Sequence, residues 1–143
     1  FFDKIESKIN DKNIENDNIN SLLNNFKSED SILKMRHIKE NEFYSLFSKY
    51  LHELEVKLPQ EQRYTRLYNI NSFPFQGVEL HKTVLAYHYA FNELISKTHG
   101  VTKFPFLLDA IMKEDIDESN RKLIFEFISK NAPKTKQVIF SVS

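Results

Sequence analysis

A strand, an acidic loop, a helix and a second strand are predicted, in that order, for the carboxyl-terminal part of this chain. The apolar segment Phe104–Asp109 indicates a buried strand, and the apolar spacing from Leu123 to Ile128 indicates a helix. After Pro133, the segment Gln137–Val142 indicates another strand. This order predicts a βαβ unit in which the strands are parallel and the crossover is right-handed.

Carboxylates cluster where the first predicted strand ends. Asp109 ends that strand, and Glu114, Asp115 and Asp117 follow in the loop. In open α/β sheets, ligands bind outside the carboxyl ends of the strands, so we expect a ligand site at this edge. A second interpretation stays open, in which Asp117 only caps the next helix and the other loop acids are solvated.

Composition excludes several classes of protein. The chain has 143 residues and 41% hydrophobic content, which suffices for one ordinary domain. A net charge of +0 does not predict broad nucleic-acid affinity. With no cysteine, disulfides and thiolate metal sites are excluded, and a cytoplasmic location is expected. No segment is apolar enough to span a bilayer, so no membrane partner is predicted.

Glycine is scarce, because Gly77 and Gly100 are the only two in the chain. Such a low count predicts that long helices supply much of the structure. It also excludes both the G-x-x-x-x-G-K-[ST] phosphate loop and the G-x-G-x-x-G motif. The chain starts with Phe1 rather than Met and ends on Ser143 inside a predicted strand, so we expect a piece of a longer polypeptide.

Residues 1–57 are predicted to form a helical arm. The first part is polar, with isolated apolar residues mostly three to five positions apart: Ile5, Ile9, Ile14, Ile19, Leu22, Leu23 and Phe26. This spacing is typical of a narrow helical stripe that packs against one partner. The heptad is irregular, so a coiled coil and packing within the chain both stay open. A break is expected at Ser28–Ser31, before a helix with one apolar face that ends before Pro59. That face comprises Phe43, Leu46, Phe47, Tyr50, Leu51 and Leu54.

Residues 58–143 are predicted to form a separate lobe, because aromatic residues and prolines become denser there. Residues 64–75 are expected to be extended or to form a loop, and a short strand with Tyr68 and Ile70 is one arrangement left open there. A long helix should run from about Glu79 to Lys97, with Gly100 just past its end. Its predicted core face comprises Leu80, Val84, Tyr87, Phe91, Leu94 and Ile95.

Several motifs of this lobe resemble ABC-type ATPases of the SMC and RecN kind. Phe75–Glu79 and the following helix resemble the L-S-G-G-[QE] signature motif and its helix. Gly77 and Glu79 match this motif, whereas Gln76 and Val78 depart from its usual Ser and second Gly.

The later segments continue the resemblance in the family's order. Phe104–Asp109 resembles the Walker B strand, and Ile116–Asp117 resembles the D-loop that follows it. Gln137–Ser143 resembles the strand that leads to the switch histidine, although no histidine stands at its end. The match covers roughly residues 58–143.

The resemblance implies a fold, cofactors and partners. The chain would be the carboxyl-terminal part of a P-loop ABC-type ATPase head, an α/β fold with a βαβ unit after a helical arm. ATP and magnesium would be its cofactors, with Asp109 associated with the metal ion. The residues implied to contact nucleotide are Gln76, Gly77, Val78, Glu79 and Asp117. Partners would be the amino-terminal lobe of the same head, a second head in a homodimer, and DNA during repair or phage defence.

Ala110 leaves open whether ATP is hydrolysed. The family usually has Glu at this position, where it orients the attacking water, so Glu114 or Asp115 would have to serve as the catalytic carboxylate. ATP hydrolysis is therefore expected only from a complete head with a separate phosphate-loop segment. Two alternatives remain: a catalytically silent head that acts as an interaction module, and a metal-dependent nuclease that uses the acidic cluster.

Overall fold

The computed structural model describes residues 2–25, 29–102, 105–108, 116–133 and 137–140. Within these residues the helices are α1 (Phe2–Asn25), α2 (Glu29–Glu53), α3 (Gly77–Lys97) and α4 (Glu118–Asn131). The strands are β1 (Phe106–Leu108) and β2 (Val138–Phe140). Two short 3₁₀ helices, Gln62–Thr65 and Leu67–Asn69, lie between α2 and α3.

Contacts divide the chain into two compact units, residues 1–37 and 38–143. In the first unit, α1 confirms the predicted helix, and each of its side chains that the structure describes is exposed. Helix α1 ends at Asn25 and α2 begins at Glu29, close to the predicted break. Glu29 and Asp30 lie in the first turn of α2, where carboxylates interact favourably with the helix dipole. The predicted domain boundary near residue 57 and the coiled-coil arm stay predictions.

The carboxyl-terminal half of α2 forms one wall of the second unit's core. Its predicted apolar face is confirmed, because Phe43, Phe47, Tyr50 and Leu51 are buried, as is Leu54 just after the helix. Burial of a side chain of this size stabilises the fold by roughly 1.5–3 kcal/mol. The helix ends at Glu53, before Pro59 as predicted.

Helix α3 has the predicted length, but the prediction of its buried face was wrong. Val84 and Phe91, both predicted to be core residues, are 36% and 38% exposed. The buried face lies roughly a third of a turn away and comprises Lys82, Thr83, Leu85, Ala86, Tyr89, Ala90 and Leu94. Apolar residues surround most of this helix, so the periodicity did not determine which side faces the core.

The carboxyl-terminal residues contain the predicted succession of strand, helix and strand. β1 pairs in parallel with β2, with Phe106 opposite Val138 and Leu108 opposite Phe140. Helix α4 lies between them in the chain and buries Ile124, Phe127 and Ile128. The strands span three residues each, and Asp109 lies outside the described residues.

Tyr89 is the side chain around which the helices and β1 pack. Its ring makes edge contacts with Tyr50 of α2, Phe106 of β1 and Phe127 of α4, at centroid distances of 6.1, 4.9 and 4.9 Å.

The segment before α3 differs from the prediction. The 3₁₀ helix Leu67–Asn69 occupies the place where a short strand with Tyr68 and Ile70 was left open as one arrangement, so the prediction of a strand was wrong.

Candidate functional site

The residues predicted to face a nucleotide phosphate lie at the start of α3. Gln76 precedes the helix in an extended conformation, and its side chain makes no capping hydrogen bond. Gly77 has a φ of +59°, a conformation that side chains disfavour, and the space where a Cβ would project is open within 4 Å. The backbone N–H groups of a first helical turn have no partner inside the helix and attract anions. The predicted contact of these groups with a nucleotide phosphate stays a prediction.

Asp117, the residue predicted in the D-loop, is the N-cap of α4. Its carboxylate accepts hydrogen bonds from the Asn120 side-chain amide at 2.6 Å and from the Asn120 backbone N–H at 3.0 Å. These bonds hold the pKa of Asp117 below its ordinary value. The capping interpretation of Asp117 is thus confirmed. Its predicted contact with nucleotide stays a prediction.

A buried lysine joins the two predicted motifs. The Lys82 ammonium lies 3.1 Å from the Glu79 carboxylate and donates a hydrogen bond of 3.1 Å to the Asn120 side-chain oxygen. The Lys82 side chain is only 4% exposed, whereas the Glu79 side chain is 44% exposed. The Asn120 side-chain amide also donates a hydrogen bond to Asp117. The start of α3 is therefore connected to the start of α4 through a chain of four polar side chains, namely Glu79, Lys82, Asn120 and Asp117.

Lys82 and Asn120 were missed by the sequence prediction. The available signal was weak: Lys82 is a charged residue among apolar neighbours of a helix, and Asn120 stands three positions after a predicted cap. Long charged side chains are usually solvated, and only the packing of α4 against α3 excludes water from this one.

The remaining predicted site residues, Asp109, Glu114 and Asp115, lie outside the described residues. Their proposed roles in metal binding and catalysis stay predictions. In the part of the chain that the structure describes, no three His, Asp or Glu side chains converge to hold a metal ion. Val78, the last of the predicted phosphate-facing residues, packs partly against the core at the start of α3.

Two concave surfaces lie in the second unit, and neither is lined by a predicted site residue. The larger, of about 580 Å³, is formed by the carboxyl-terminal part of α2 and residues 56–65. The smaller, of about 210 Å³, lies where the ends of α2, α3 and α4 meet. Residues 76–79 lie outside both cavities, with Gln76 and Gly77 exposed.

Comparison with known proteins identifies no relative from which a function could be assigned. No protein-family model, no curated protein and no solved structure matches this chain. Among the helices that the structure describes, none combines the length and the apolar character needed to cross a membrane.

Proposed function

We propose that this chain is the carboxyl-terminal lobe of an SMC-like ABC-type ATPase head, in which ATP-driven engagement of two heads acts on DNA. The amino-terminal lobe of the same head would supply the phosphate loop that the glycine count excludes here. The arrangement is supported by parallel pairing of β1 with β2, because their connection through α4 is the βαβ unit that such a lobe requires.

The polar connection from Glu79 through Lys82 and Asn120 to Asp117 carries the proposal. Glu79 belongs to the segment that resembles the signature motif, and Asp117 belongs to the segment that resembles the D-loop. Lys82 and Asn120 are 38 positions apart in the chain, yet their side chains are hydrogen-bonded. Motifs that must act on one nucleotide need to be held at a fixed separation, and this connection supplies it.

Within the proposed site, each residue has a defined task. The backbone N–H groups at the start of α3 would bind the terminal phosphate of ATP held by the opposing head, and Gly77 leaves room for its approach. Asp109 would hold the magnesium ion, which neutralises charge during phosphoryl transfer. Glu114 or Asp115 would orient water.

Ala110 favours a second candidate, a head that closes on ATP without hydrolysing it. Such a head would use the same contacts for nucleotide and would serve as an interaction module. The nuclease alternative rests on two metal ions held by Asp109, Glu114, Asp115 and Asp117. DNA cleavage with Mn²⁺ that Asp109→Ala abolishes would favour it.

The test measures ATP-dependent association and ATP hydrolysis of the full-length polypeptide. Wild type should dimerise with ATP and turn it over, and Asp109→Ala should lose turnover. The matched control is Asp30→Ala, which removes an exposed carboxylate from α2 and should behave as wild type. Dimerisation without turnover would support the silent head. Absence of any response to ATP would refute both versions.

A further inference from the structure

The cavity of about 210 Å³ in the second unit has the composition of a small binding site. Its walls are the rings of Tyr50 and Tyr89, the apolar Pro133, and polar side chains from α3 and α4: Asn92, Glu93, Ser96, Lys97 and Asn131. Cavities for drug-sized ligands begin at about 300 Å³, so this one suits a smaller molecule. Within that size limit, the polar groups around the cavity determine which kind of ligand it would bind.

Tyr89 contributes a buried hydroxyl that makes no hydrogen bond to any residue that the structure describes. The residue is 2% exposed. Burial raises the pKa of Tyr89 to about 12, so the hydroxyl is protonated at neutral pH and its lone pairs are available. A buried hydroxyl without a partner is costly, and a ligand in the cavity would relieve that cost.

Glu93 supplies the cavity with one carboxylate that a ligand cation could bind in place of Lys97. Glu93 accepts a hydrogen bond from the Tyr50 hydroxyl and lies 2.6 Å from the Lys97 ammonium. Burial raises the pKa of Glu93, but the bonds from Lys97 and Tyr50 outweigh this and lower it, so the group is ionised at neutral pH. The helices α2, α3 and α4 also end here, and their carboxyl ends carry partial negative charge.

Aromatic faces complete the recognition of an ammonium group. The Lys49 ammonium lies 5.0 Å from the centroid of the Tyr50 ring, a distance at which a cation is attracted to an aromatic face. The Lys97 side chain is 51% exposed, so it can leave Glu93 for solvent at little cost. The Lys130 ammonium forms an ion pair with the Glu53 carboxylate at 3.3 Å, and the Asn131 side-chain amide donates a hydrogen bond of 2.8 Å to the same carboxylate.

We propose that this cavity binds the ammonium group of a small alkylamine, with Glu93 as counter-ion, Tyr89 Oη as hydrogen-bond acceptor and the tyrosine rings as aromatic walls. Lys97 occupies the ammonium position in the absence of ligand and competes with the ligand for Glu93. The proposal is independent of the ATPase assignment, because no residue of that site lines the cavity.

The test is an NMR titration of the full chain with n-butylammonium chloride at constant ionic strength. Sodium butyrate and n-butanol are controls of the same length that carry negative charge or none. Wild type should bind butylammonium in preference to both, with shifts centred on Tyr89 and Glu93. Equal binding of butanol or butyrate, or no binding of butylammonium, would overturn the proposal.

Variants assign the roles. Glu93→Gln should weaken binding about tenfold, because it removes the negative charge that attracts the ammonium group, and Tyr89→Phe should weaken it about fivefold, because it removes one hydrogen-bond acceptor. Lys97→Met should tighten binding, since it removes the competing cation. The matched controls are Glu126→Gln on the exposed side of α4 and Tyr87→Phe on α3, which should bind as wild type. Unchanged affinity in Glu93→Gln, or weaker binding in Lys97→Met, would refute the assignment.

Discussion

Gly77 begins α3 in a conformation that a Cβ makes unfavourable. Among the described residues, no atom beyond the adjacent backbone lies within 4 Å of the position that a Cβ would take, so the cost of substitution comes from the backbone conformation and not from a clash. We expect Gly77→Ala to lower the free energy of unfolding by about 1 kcal/mol. Gly77→Asn should cost less, because Asn tolerates positive φ. Urea denaturation measures both, and equal losses in the two variants would contradict the backbone explanation.

Asp117 makes the stability of the fold depend on pH. Hydrogen bonds from Asn120 lower its pKa in the folded state from the ordinary value of 3.8. Ionised Asp117 therefore stabilises the fold above that ordinary value, and the contribution is lost as the pH falls through the lower folded-state pKa. Asp117→Asn keeps an acceptor but does not titrate. Its melting temperature should be below that of wild type at neutral pH, and the gap should narrow in acid.

The control for that experiment is Glu126→Gln, which removes one carboxylate from an exposed position of the same helix. The difference in melting temperature between wild type and Asp117→Asn could instead stay constant down to strongly acidic pH. That result would show that the charge of Asp117 does not strengthen the cap.

At the scale of elements, Lys82 couples α3 to α4. Among the residues that the structure describes, Glu79→Ala would leave the buried ammonium with Asn120 as its remaining partner, so we expect the free energy of unfolding to fall by about 2 kcal/mol. Lys82→Met replaces the charge with an apolar chain of similar length and should change stability by less than about 1 kcal/mol. In the Lys82→Met background, Glu79→Ala should cost almost nothing.

These three variants and wild type form a double-mutant cycle that isolates the pairwise energy. Additive losses would mean that Glu79 and Lys82 do not interact in solution. A large loss from Lys82→Met alone would show instead that the Asn120 oxygen, left without its donor, dominates the junction.

For the whole molecule, the buried residues that the structure describes all lie at position 40 or later. A fragment of residues 38–143 should therefore unfold cooperatively, with a free energy of unfolding within about 0.5 kcal/mol of that of the full chain. Urea denaturation followed by tyrosine fluorescence compares the two. Loss of cooperativity in the fragment would mean that residues 1–37 contribute to its core.

The success of sequence prediction differed between elements for physical reasons. Helix α2 has a single apolar stripe, so its buried residues Phe43, Phe47 and Tyr50 followed from helical spacing. Helix α3 is apolar on most sides, and its buried face followed from spacing only at Leu94. The prediction of a short strand with Tyr68 failed because Leu67–Asn69 form a 3₁₀ helix that buries Leu67 and leaves Tyr68 exposed.

The sequence by itself determined the helix in residues 2–25, the buried face of α2, the order of β1, α4 and β2, and the cap at Asp117. These depend on local periodicity and on hydrogen bonds between near neighbours, which a short segment specifies. Tertiary structure alone decided which face of α3 is buried, the burial of Lys82 beside Glu79, and the burial of the Tyr89 hydroxyl without a partner among the described residues. These depend on which surfaces exclude water once α2, α3 and α4 pack together, and no local pattern carries that information.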